Sequence, residues 1–180
     1  YRMARMDRRT DIYLDERRMF FLIKDEFCEN IKKYEKSMYN LAYSIIKNET
    51  DAVDVVAETV YRAYIAYPTL KNKKAFKAWI LHIVHNTAVE MIRKNKNLLY
   101  IDEIEEVADD KKMDITTRIT VRDAVNSLNQ PYRTVAILYY YEDIPVVEIA
   151  KITNSSIMAV RQQLRRSRKM LRDILGGNDE

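Results

Sequence analysis

Glycine, proline and cysteine are scarce in this chain, and each shortage excludes a class of structure. The 180 residues include two glycines, three prolines and one cysteine. Because tight turns draw heavily on glycine and proline, their scarcity favours an all-helical protein over a sheet protein with many turns. The glycines are Gly176 and Gly177, so a glycine-rich loop that binds nucleotide phosphates is excluded. The single Cys28 excludes an intramolecular disulfide framework and is compatible with a reducing cytoplasm.

Membrane spans and catalytic clusters are missing as well. No run of about 18 apolar residues is present, which argues against a transmembrane helix and against the apolar stretch of a signal peptide. His82 and His85 are the only histidines, and no third metal ligand follows them at a familiar spacing. We therefore expect no metal, no cofactor, no enzymatic activity and no insertion into a membrane. Cys28 lies within an apolar helical pattern, which predicts a packing role.

What the chain has in abundance is charge, with a small basic excess. Charged residues make up 32% of the chain, hydrophobic residues make up 47%, and the formal net charge is +4. The excess is too mild for a chain coated in positive charge, but it suits a protein that meets nucleic acid on one face. The length is sufficient for two small helical domains, each with a modest core.

Residues 146–171 have the pattern of a helix-turn-helix, in which a short helix, a tight turn and a second helix follow one another. Asn154 lies in the turn, where an asparagine can adopt the left-handed backbone conformation. Ser156 stands where the second helix needs an N-cap, with its hydroxyl in reach of the Ala159 amide. Val160, in the second helix, is then expected to pack in the core. The pattern predicts a motif that reads DNA.

The second helix of this motif is basic on one side and apolar on the other. Its basic residues are Arg161, Arg165, Arg166, Arg168, Lys169 and Arg172, with no acid among them. Val160, Leu164 and Leu171 form the apolar stripe. One face is therefore expected to pack and the other to meet phosphates and bases. The alternative is a solvated basic helix on an ordinary bundle, and the turn and the cap together favour the helix-turn-helix.

The apolar pattern divides the chain into two helical domains joined by an acidic linker. Residues 25–94 form the first domain, residues 95–114 the linker and residues 115–175 the second domain, with a tail at 176–180. The linker is crowded with acidic residues: Asp102, Glu103, Glu105, Glu106, Asp109 and Asp110. Residues 1–24 are an extension whose role stays open between a flexible lead-in, an extra helix and a partner-binding segment.

Three motifs in the first domain are similar to those of a known family. The first is met by Phe27, Tyr34, Met38, Tyr39 and Ala42. The second spans residues 51–58, where Val53 and Ala57 depart from the glutamate and glutamine of the family. The third and most specific is met by Phe76, Trp79, Ile80, Ile83, Val84, Asn86, Glu90 and Arg93. Together they resemble region 2 of bacterial sigma factors of the extracytoplasmic-function (ECF) group.

The second domain resembles region 4 of the same family. Its Leu-Pro-x-x-Tyr-Arg motif is met by Leu128, Tyr132 and Arg133, with proline displaced to Pro131. The Glu-Ile-Ala motif of the first helix is Glu148, Ile149 and Ala150. The motif of the second helix is met by Val160, Leu164, Arg166 and Arg168. Asn154 replaces the turn glycine of the family, which the same backbone geometry tolerates.

In region 2 the resemblance implies contacts with polymerase and with the minus-ten element. Asp51, Asp54 and Glu58 would form a carboxylate ridge that binds the clamp helices of the largest polymerase subunit. The loop residues expected to hold the phosphates of a displaced strand are Lys71, Asn72, Lys73 and Lys74. Asn86 and Arg93 would complete this site, because the Asn86 amide can bond to an unstacked base. Trp79 is expected to be mainly a core aromatic.

In region 4 the resemblance places the basic helix in the major groove of the minus-thirty-five element. Arg161, Gln162 and Arg165 are expected at base edges, and Ser156, Arg166 and Arg168 at phosphates. Two small domains would bind DNA weakly one at a time, whereas a tether raises their effective concentration. The acidic linker fits a segment that passes through the polymerase channel, and a merely solvated tether is the alternative.

The resemblance implies an ECF sigma factor that works in the cytoplasm with core RNA polymerase and promoter DNA. It also implies an anti-sigma factor as a further partner. A stand-alone helix-turn-helix regulator with a sensing or dimerising first domain is the alternative function. A helical scaffold that binds only protein is the third.

Overall fold

The computed structural model describes the backbone of residues 8–99 and 120–176 and the side chains of residues 24–95 and 120–176. Within these ranges the chain forms helices and turns, with no strand. The predicted all-α fold is therefore confirmed. The acidic residues of the predicted linker, at 102–110, lie outside the described residues, as does the tail from residue 177 onward.

Three long helices build the first half of the described chain: α1 (Arg8–Ile46), α2 (Glu49–Ala66) and α3 (Phe76–Leu99). The connection from α1 to α2 is short because Lys47 has a left-handed φ of 61°. Asn48 then caps α2, its side-chain oxygen accepting a hydrogen bond from the Asp51 amide at 3.1 Å. Two 3-10 turns, Tyr67–Thr69 and Lys73–Ala75, connect α2 to α3.

Helix α1 is longer than the apolar pattern from Phe27 onward required. It begins at Arg8 and continues for 39 residues without a break at position 24. Part of the predicted extension is thus continuous in backbone with the first domain. The side chains of residues 8–23 lie outside the described part of the chain, so the role of the extension stays open.

An aromatic cluster closes one end of this bundle, where α1, the α2–α3 connection and the start of α3 meet. Phe76 is 2% exposed. Its ring centroid lies 5.8 Å from that of Tyr67 in an edge-on arrangement and 5.5 Å from that of Trp79. Phe27 and Tyr34 flank it from α1 at 6.4 and 5.9 Å. Trp79 therefore packs in the core, as predicted.

Four helices and a π-helical turn build the described second half: α4 (Val121–Ser127), α5 (Tyr132–Ala136), the turn Ile137–Tyr141, α6 (Val146–Ile152) and α7 (Ile157–Ile174). Thr120 opens α4 with a capping box. Its hydroxyl accepts from the Asp123 amide, and the Asp123 carboxylate accepts from the Thr120 amide. These reciprocal bonds satisfy two backbone donors at the start of a helix of only seven residues.

The connection between α6 and α7 has the predicted helix-turn-helix geometry. Asn154 has a φ of 50°, and Ser156 Oγ accepts from the Ala159 amide at 3.1 Å. Val160 and Leu164 are buried on the inner side of α7. Gly176, two residues after α7 ends, has a φ of 76°, where glycine avoids the strain of a side chain.

The two halves of the described chain are docked on each other and share one core. Helix α6 packs against α3, and α5 packs against α1. Second-half residues in the shared core are Val135, Leu138, Ile144, Ile149, Ala150, Ile152, Val160 and Leu164. Polar bonds support the contact: Gln130 Nε2 donates to the Ser44 carbonyl at 2.9 Å, and Lys47 Nζ donates to the Asn126 carbonyl at 2.8 Å. No sequence pattern had indicated this docking.

One local prediction about packing is wrong. Cys28 is exposed, because it directly follows the buried Phe27 and its side chain points about 100° away around the helix.

Replacing Phe76 with alanine should lower the free energy of unfolding by about 3–5 kcal/mol, because a fully buried ring is lost and leaves a cavity. Urea unfolding followed by circular dichroism measures the change. Val89→Ala, on an exposed part of the same helix, is the matched control and should cost less than about 1 kcal/mol. Equal losses for the two variants would contradict the central place of Phe76.

Candidate nucleic-acid and protein interfaces

The outer face of α7 presents the predicted DNA-reading side chains together. Arg161, Gln162, Arg165, Arg166 and Arg168 are all exposed there. Arg166 Nη1 donates to the Tyr132 hydroxyl at 3.2 Å, so its guanidinium is held toward α5. Arg168 Nε donates a long bond of 3.4 Å to the Leu164 carbonyl, and the other side of the helix is buried at Val160 and Leu164. The arrangement is a rigid basic surface of the dimensions that suit a DNA groove.

The helix-turn-helix turn contacts α3 at Asn86, which is partly exposed. Asn86 Nδ2 donates to His82 Nε2 at 3.0 Å, and its Oδ1 accepts a long bond of 3.4 Å from Asn154 Nδ2. The amide nitrogen and the amide oxygen that were predicted to bond to an unstacked base therefore each have a protein partner. The sequence had placed Asn86 in the minus-ten site and Asn154 in the turn of the helix-turn-helix, and the structure brings the two together.

An ion pair near the start of α3 also joins the halves. Lys77 Nζ lies 3.0 Å from a Glu142 carboxylate oxygen and donates to the Glu142 carbonyl at 2.6 Å. Glu142 is 5% exposed, so its charge depends on Lys77 for compensation. Sequence reasoning missed both residues, because they are 65 positions apart and only their burial after docking gives the pair its importance.

The lysine loop before α3 is exposed, but one of its lysines is already engaged. Asn72 Oδ1 accepts from the Lys74 amide at 3.1 Å and so caps the 3-10 turn. Lys73 Nζ lies 3.2 Å from the centroid of the Tyr67 ring, a cation–π contact. Burial raises the pKa of the Tyr67 hydroxyl to about 12. Lys71 and Lys74 are exposed and remain available to phosphates.

Arg93 follows Asn86 on α3 by two helical turns, which places it on a similar face about 10 Å further along the axis. It is exposed. The predicted minus-ten residues therefore lie along the length of α3, with the lysine loop at the start, Asn86 near the middle and Arg93 toward the end.

The exposed face of α2 combines carboxylates with an apolar stripe. Asp54 is exposed, and Asp51 and Glu58 are partly exposed. Beside them Val53, Ala57, Tyr61 and Ile65 follow one another at intervals of four residues and are all exposed. Val53 and Ala57, which the sequence analysis treated as departures from a motif, thus begin an apolar stripe that no described part of the chain covers. The four-residue spacing of these apolar residues could have indicated the stripe from the sequence.

An ion network fixes α2 to α3. Arg62 Nε lies 2.6 Å from Glu58, and Arg62 Nη1 lies 2.8 Å from Glu90, which also pairs with Lys94 at 2.9 Å. Hydrogen bonds from Arg62 and Lys94 hold the pKa of the Glu90 carboxyl at about 2. Glu58 therefore has a fixed orientation, because Arg62 connects it to the neighbouring helix.

The histidines of α3 have structural surroundings. Burial lowers the pKa of His85, which favours the neutral ring. Among the side chains that the structure describes, no group of three metal-ligating residues comes together. No helix in the described ranges is long and apolar enough to cross a membrane.

Comparisons with known proteins match both halves to one family. Sigma-70 region 2 matches residues 31–98, and Sigma-70 region 4 matches residues 118–171. RNA polymerase sigma factor SigV of Bacillus subtilis is 32% identical over 143 residues, covering 79% of this chain and 86% of that protein. ECF RNA polymerase sigma factor SigW of the same organism is 26% identical over 167 residues, covering 83% and 88%.

Among solved structures, the fold is similar to that of sigma factor RpoE in complex with the anti-sigma factor NepR from Bartonella quintana. The TM-score is 0.69 at 20% identity, covering 85% of this chain and 98% of that one. CnrH in complex with the cytosolic domain of CnrY is also similar, with a TM-score of 0.58 at 21% identity, covering 85% and 89%.

Glu90→Gln should destabilise the protein at pH 7 and should matter less as the solution is acidified. The folded-state pKa of Glu90 is about 2, below the ordinary 4.5, so its contribution is full above about pH 4.5 and fades as the pH falls toward 2. Urea midpoints of the wild type and the variant at pH 7 and pH 3 measure this. In an Arg62→Gln background the substitution should have a smaller effect, because only the pair with Lys94 remains, and a pH-independent gap would contradict the assignment.

Proposed function

Because the chain belongs to the sigma-70 family of RNA polymerase sigma factors, in the ECF group, we propose that the two interfaces described above divide its work between polymerase and promoter DNA. The observation that carries the proposal is a helix-turn-helix with an exposed basic face, joined to a domain with its own basic loop and Asn86. As a sigma factor, the protein contributes binding and positioning in the cytoplasm, and the polymerase performs the chemistry.

Region 4, within residues 115–175, would bind duplex DNA at the minus-thirty-five element through α7. Arg161, Gln162 and Arg165 reach base edges in this proposal, because their side chains are exposed on the outer face of the recognition helix. Arg166, Arg168 and Ser156 contact phosphates at its margin. The apolar side of α7, buried at Val160 and Leu164, keeps the helix fixed while the basic side reads DNA.

Region 2, within residues 25–94, would hold the strand that is opened at the minus-ten element. Lys71 and Lys74 offer free positive charge, and Asn72 shapes their loop as a cap. Asn86 would bond to an unstacked base and Arg93 to the strand further along α3. Lys73 would serve through its position on the Tyr67 ring, which orders the loop before the strand arrives.

The core polymerase would bind to the face of α2. A polar or charged rim around an apolar centre is typical of protein interfaces. Asp51, Asp54 and Glu58 provide the acidic rim, suited to a basic partner. Val53, Ala57, Tyr61 and Ile65 provide the apolar centre, and no other described part of the chain covers them.

The docked arrangement cannot read both promoter elements, so the halves must separate on DNA. Elements named minus ten and minus thirty-five are roughly 25 base pairs apart, which is about 85 Å of B-form DNA at 3.4 Å per base pair. In the structure the helix-turn-helix turn lies on α3, with Asn154 bonded to Asn86. We infer that polymerase binding accompanies release of region 4 from α3.

An anti-sigma factor is the further partner that this geometry accommodates. Sigma factor RpoE was solved together with such a factor, and its chain superposes on both halves of this one. A partner that stabilises the docked arrangement would keep Asn86 bonded to Asn154 and would therefore block promoter binding without touching α7.

The alternative function, a stand-alone helix-turn-helix regulator, leaves the region 2 match without a role. A sensing domain needs neither a lysine loop nor an exposed carboxylate and apolar face on α2. The sigma-factor assignment accounts for these features together with the helix-turn-helix.

Run-off transcription with core polymerase tests the proposal directly. With core polymerase the chain should direct promoter-specific transcripts, whereas the chain alone should bind duplex DNA only weakly.

Tyr61→Asp tests the proposed polymerase-binding face of α2. It places a charge in the apolar stripe at a side chain that is 62% exposed, so the fold should survive. Core binding should weaken by at least about tenfold, equivalent to ~1.4 kcal/mol.

Val121→Asp is the control for that variant, because Val121 is equally exposed but lies in region 4. It should bind core polymerase normally in the same pull-down or fluorescence titration. Specific nanomolar duplex binding by the free chain, without any promoter-specific transcript, would favour the stand-alone regulator instead.

Separation of the halves is measurable through spin labels at Thr69→Cys and Lys169→Cys in a Cys28→Ser background. The free protein should give one distribution of short distances between the labels, and binding of core polymerase and promoter DNA should lengthen these distances.

Glu142→Gln removes the charge that pairs with Lys77 and should shift the ratio of open to docked forms on the order of tenfold.

Glu148→Gln is the matched control for Glu142→Gln. The substitution removes the same charge from the same half of the chain, but Glu148 pairs with Lys151 inside α6. Its distance distribution should equal that of the wild type. If free wild-type protein already gives the long distances, or if both variants open equally, the Lys77–Glu142 pair does not hold the halves together.

A further inference from the structure

Met158 is the most exposed large apolar side chain in the described part of the protein, with 78% of its surface accessible. It is the second residue of α7 and directly precedes the basic face of that helix. An apolar side chain so placed loses contact with water only when something docks onto the start of the recognition helix.

Its position on the helix gives the direction of that docking. Residues three, four and seven positions apart share one side of a helix. Met158 therefore shares a face with Arg161, Gln162 and Arg165, which are all exposed. The opposite side, at Val160 and Leu164, is buried. Met158 thus extends the base-reading face by one turn toward the N-terminus of α7.

The groups that Met158 would contact in a DNA complex are those at the base edges of the major groove. In helix-turn-helix proteins the N-terminal residues of the recognition helix contact base edges in the major groove. Most groups at those edges are hydrogen-bond donors and acceptors, and thymine adds its C5-methyl group. Methionine is flexible and apolar, so it suits the methyl group rather than the polar groups.

We propose that Met158 is a specificity-determining residue that reads the methyl group of a thymine in the upstream promoter element. The proposal rests on the proposed function, in which α7 binds that element. It adds an apolar contact to the polar contacts of Arg161, Gln162 and Arg165, so the protein distinguishes thymine from cytosine by shape as well as by hydrogen bonding.

The expected effect is small but measurable. Burying one methyl-sized group is worth about 0.8 kcal/mol, which corresponds to a three- to fourfold change in affinity at ~1.4 kcal/mol per tenfold. Met158→Ala should keep the fold, because alanine is the best helix former and the side chain it replaces is exposed.

The test uses the full chain bound to core polymerase. Promoters randomised at the upstream element are first selected for binding, and each selected thymine is then replaced by deoxyuridine, which removes only the methyl group. Wild-type holoenzyme should lose three- to fourfold in affinity at one thymine position. Met158→Ala holoenzyme should bind thymine and deoxyuridine equally at that position.

Two controls separate this contact from general effects. Met170→Ala removes another exposed methionine of α7 away from the base-reading face and should keep the deoxyuridine sensitivity. Arg165→Ala should relax preference at a different base and also keep that sensitivity.

Selected sequences without thymine, or unchanged deoxyuridine sensitivity in Met158→Ala, would overturn the role of Met158 while leaving the sigma-factor function intact. A holoenzyme with no base preference anywhere in the upstream element would overturn both the role of Met158 and the proposed function of α7.

Discussion

Packing on several sides of helix α3 is the constraint from which the rest of the structure follows. Its inner side joins α1 and α2 around the Phe76 cluster, and it also packs against α6. The second half therefore has its helix-turn-helix held against the same helix that carries Asn86. The exposed polar residues among the described side chains of α3, Arg93, Lys94 and Asn95, lie toward its end, beyond Asn86.

The proposed function assigns the two partners to surfaces of different charge. The exposed face of α2 is acidic and apolar, whereas the exposed face of α7 is basic, and the net charge of the chain is only +4. Arg62 joins Glu58 on α2 to Glu90 on α3. If polymerase binds α2 as proposed, this ion network connects the bound helix to α3, which carries the proposed minus-ten residues.

Apolar contacts stabilise the docked state, in which Asn86 is bonded to Asn154 and is less available for its proposed contact with DNA. The shared core favours docking, whereas its polar contacts include one ion pair and a few hydrogen bonds, which contribute modestly each. The buried apolar side chains that the two halves share therefore contribute more to docking than these polar contacts do. A partner that binds either the docked or the open arrangement can therefore shift the population by its difference in affinity for the two.

Local features were determined by the sequence itself. The turn at Asn154, the cap at Ser156, the buried positions of α7 and the packing of Trp79 all depend on residues close in the chain, whose few conformations the side chains restrict. The family motifs likewise supplied the residues that are proposed for both interfaces. The extent of α1, the exposure of Cys28 and the apolar stripe on α2 required the packed helices. The contacts of Asn86 with Asn154 and of Lys77 with Glu142 were decided only by tertiary structure, because residues 65 or more positions apart meet through the docking of whole surfaces, which no local pattern encodes.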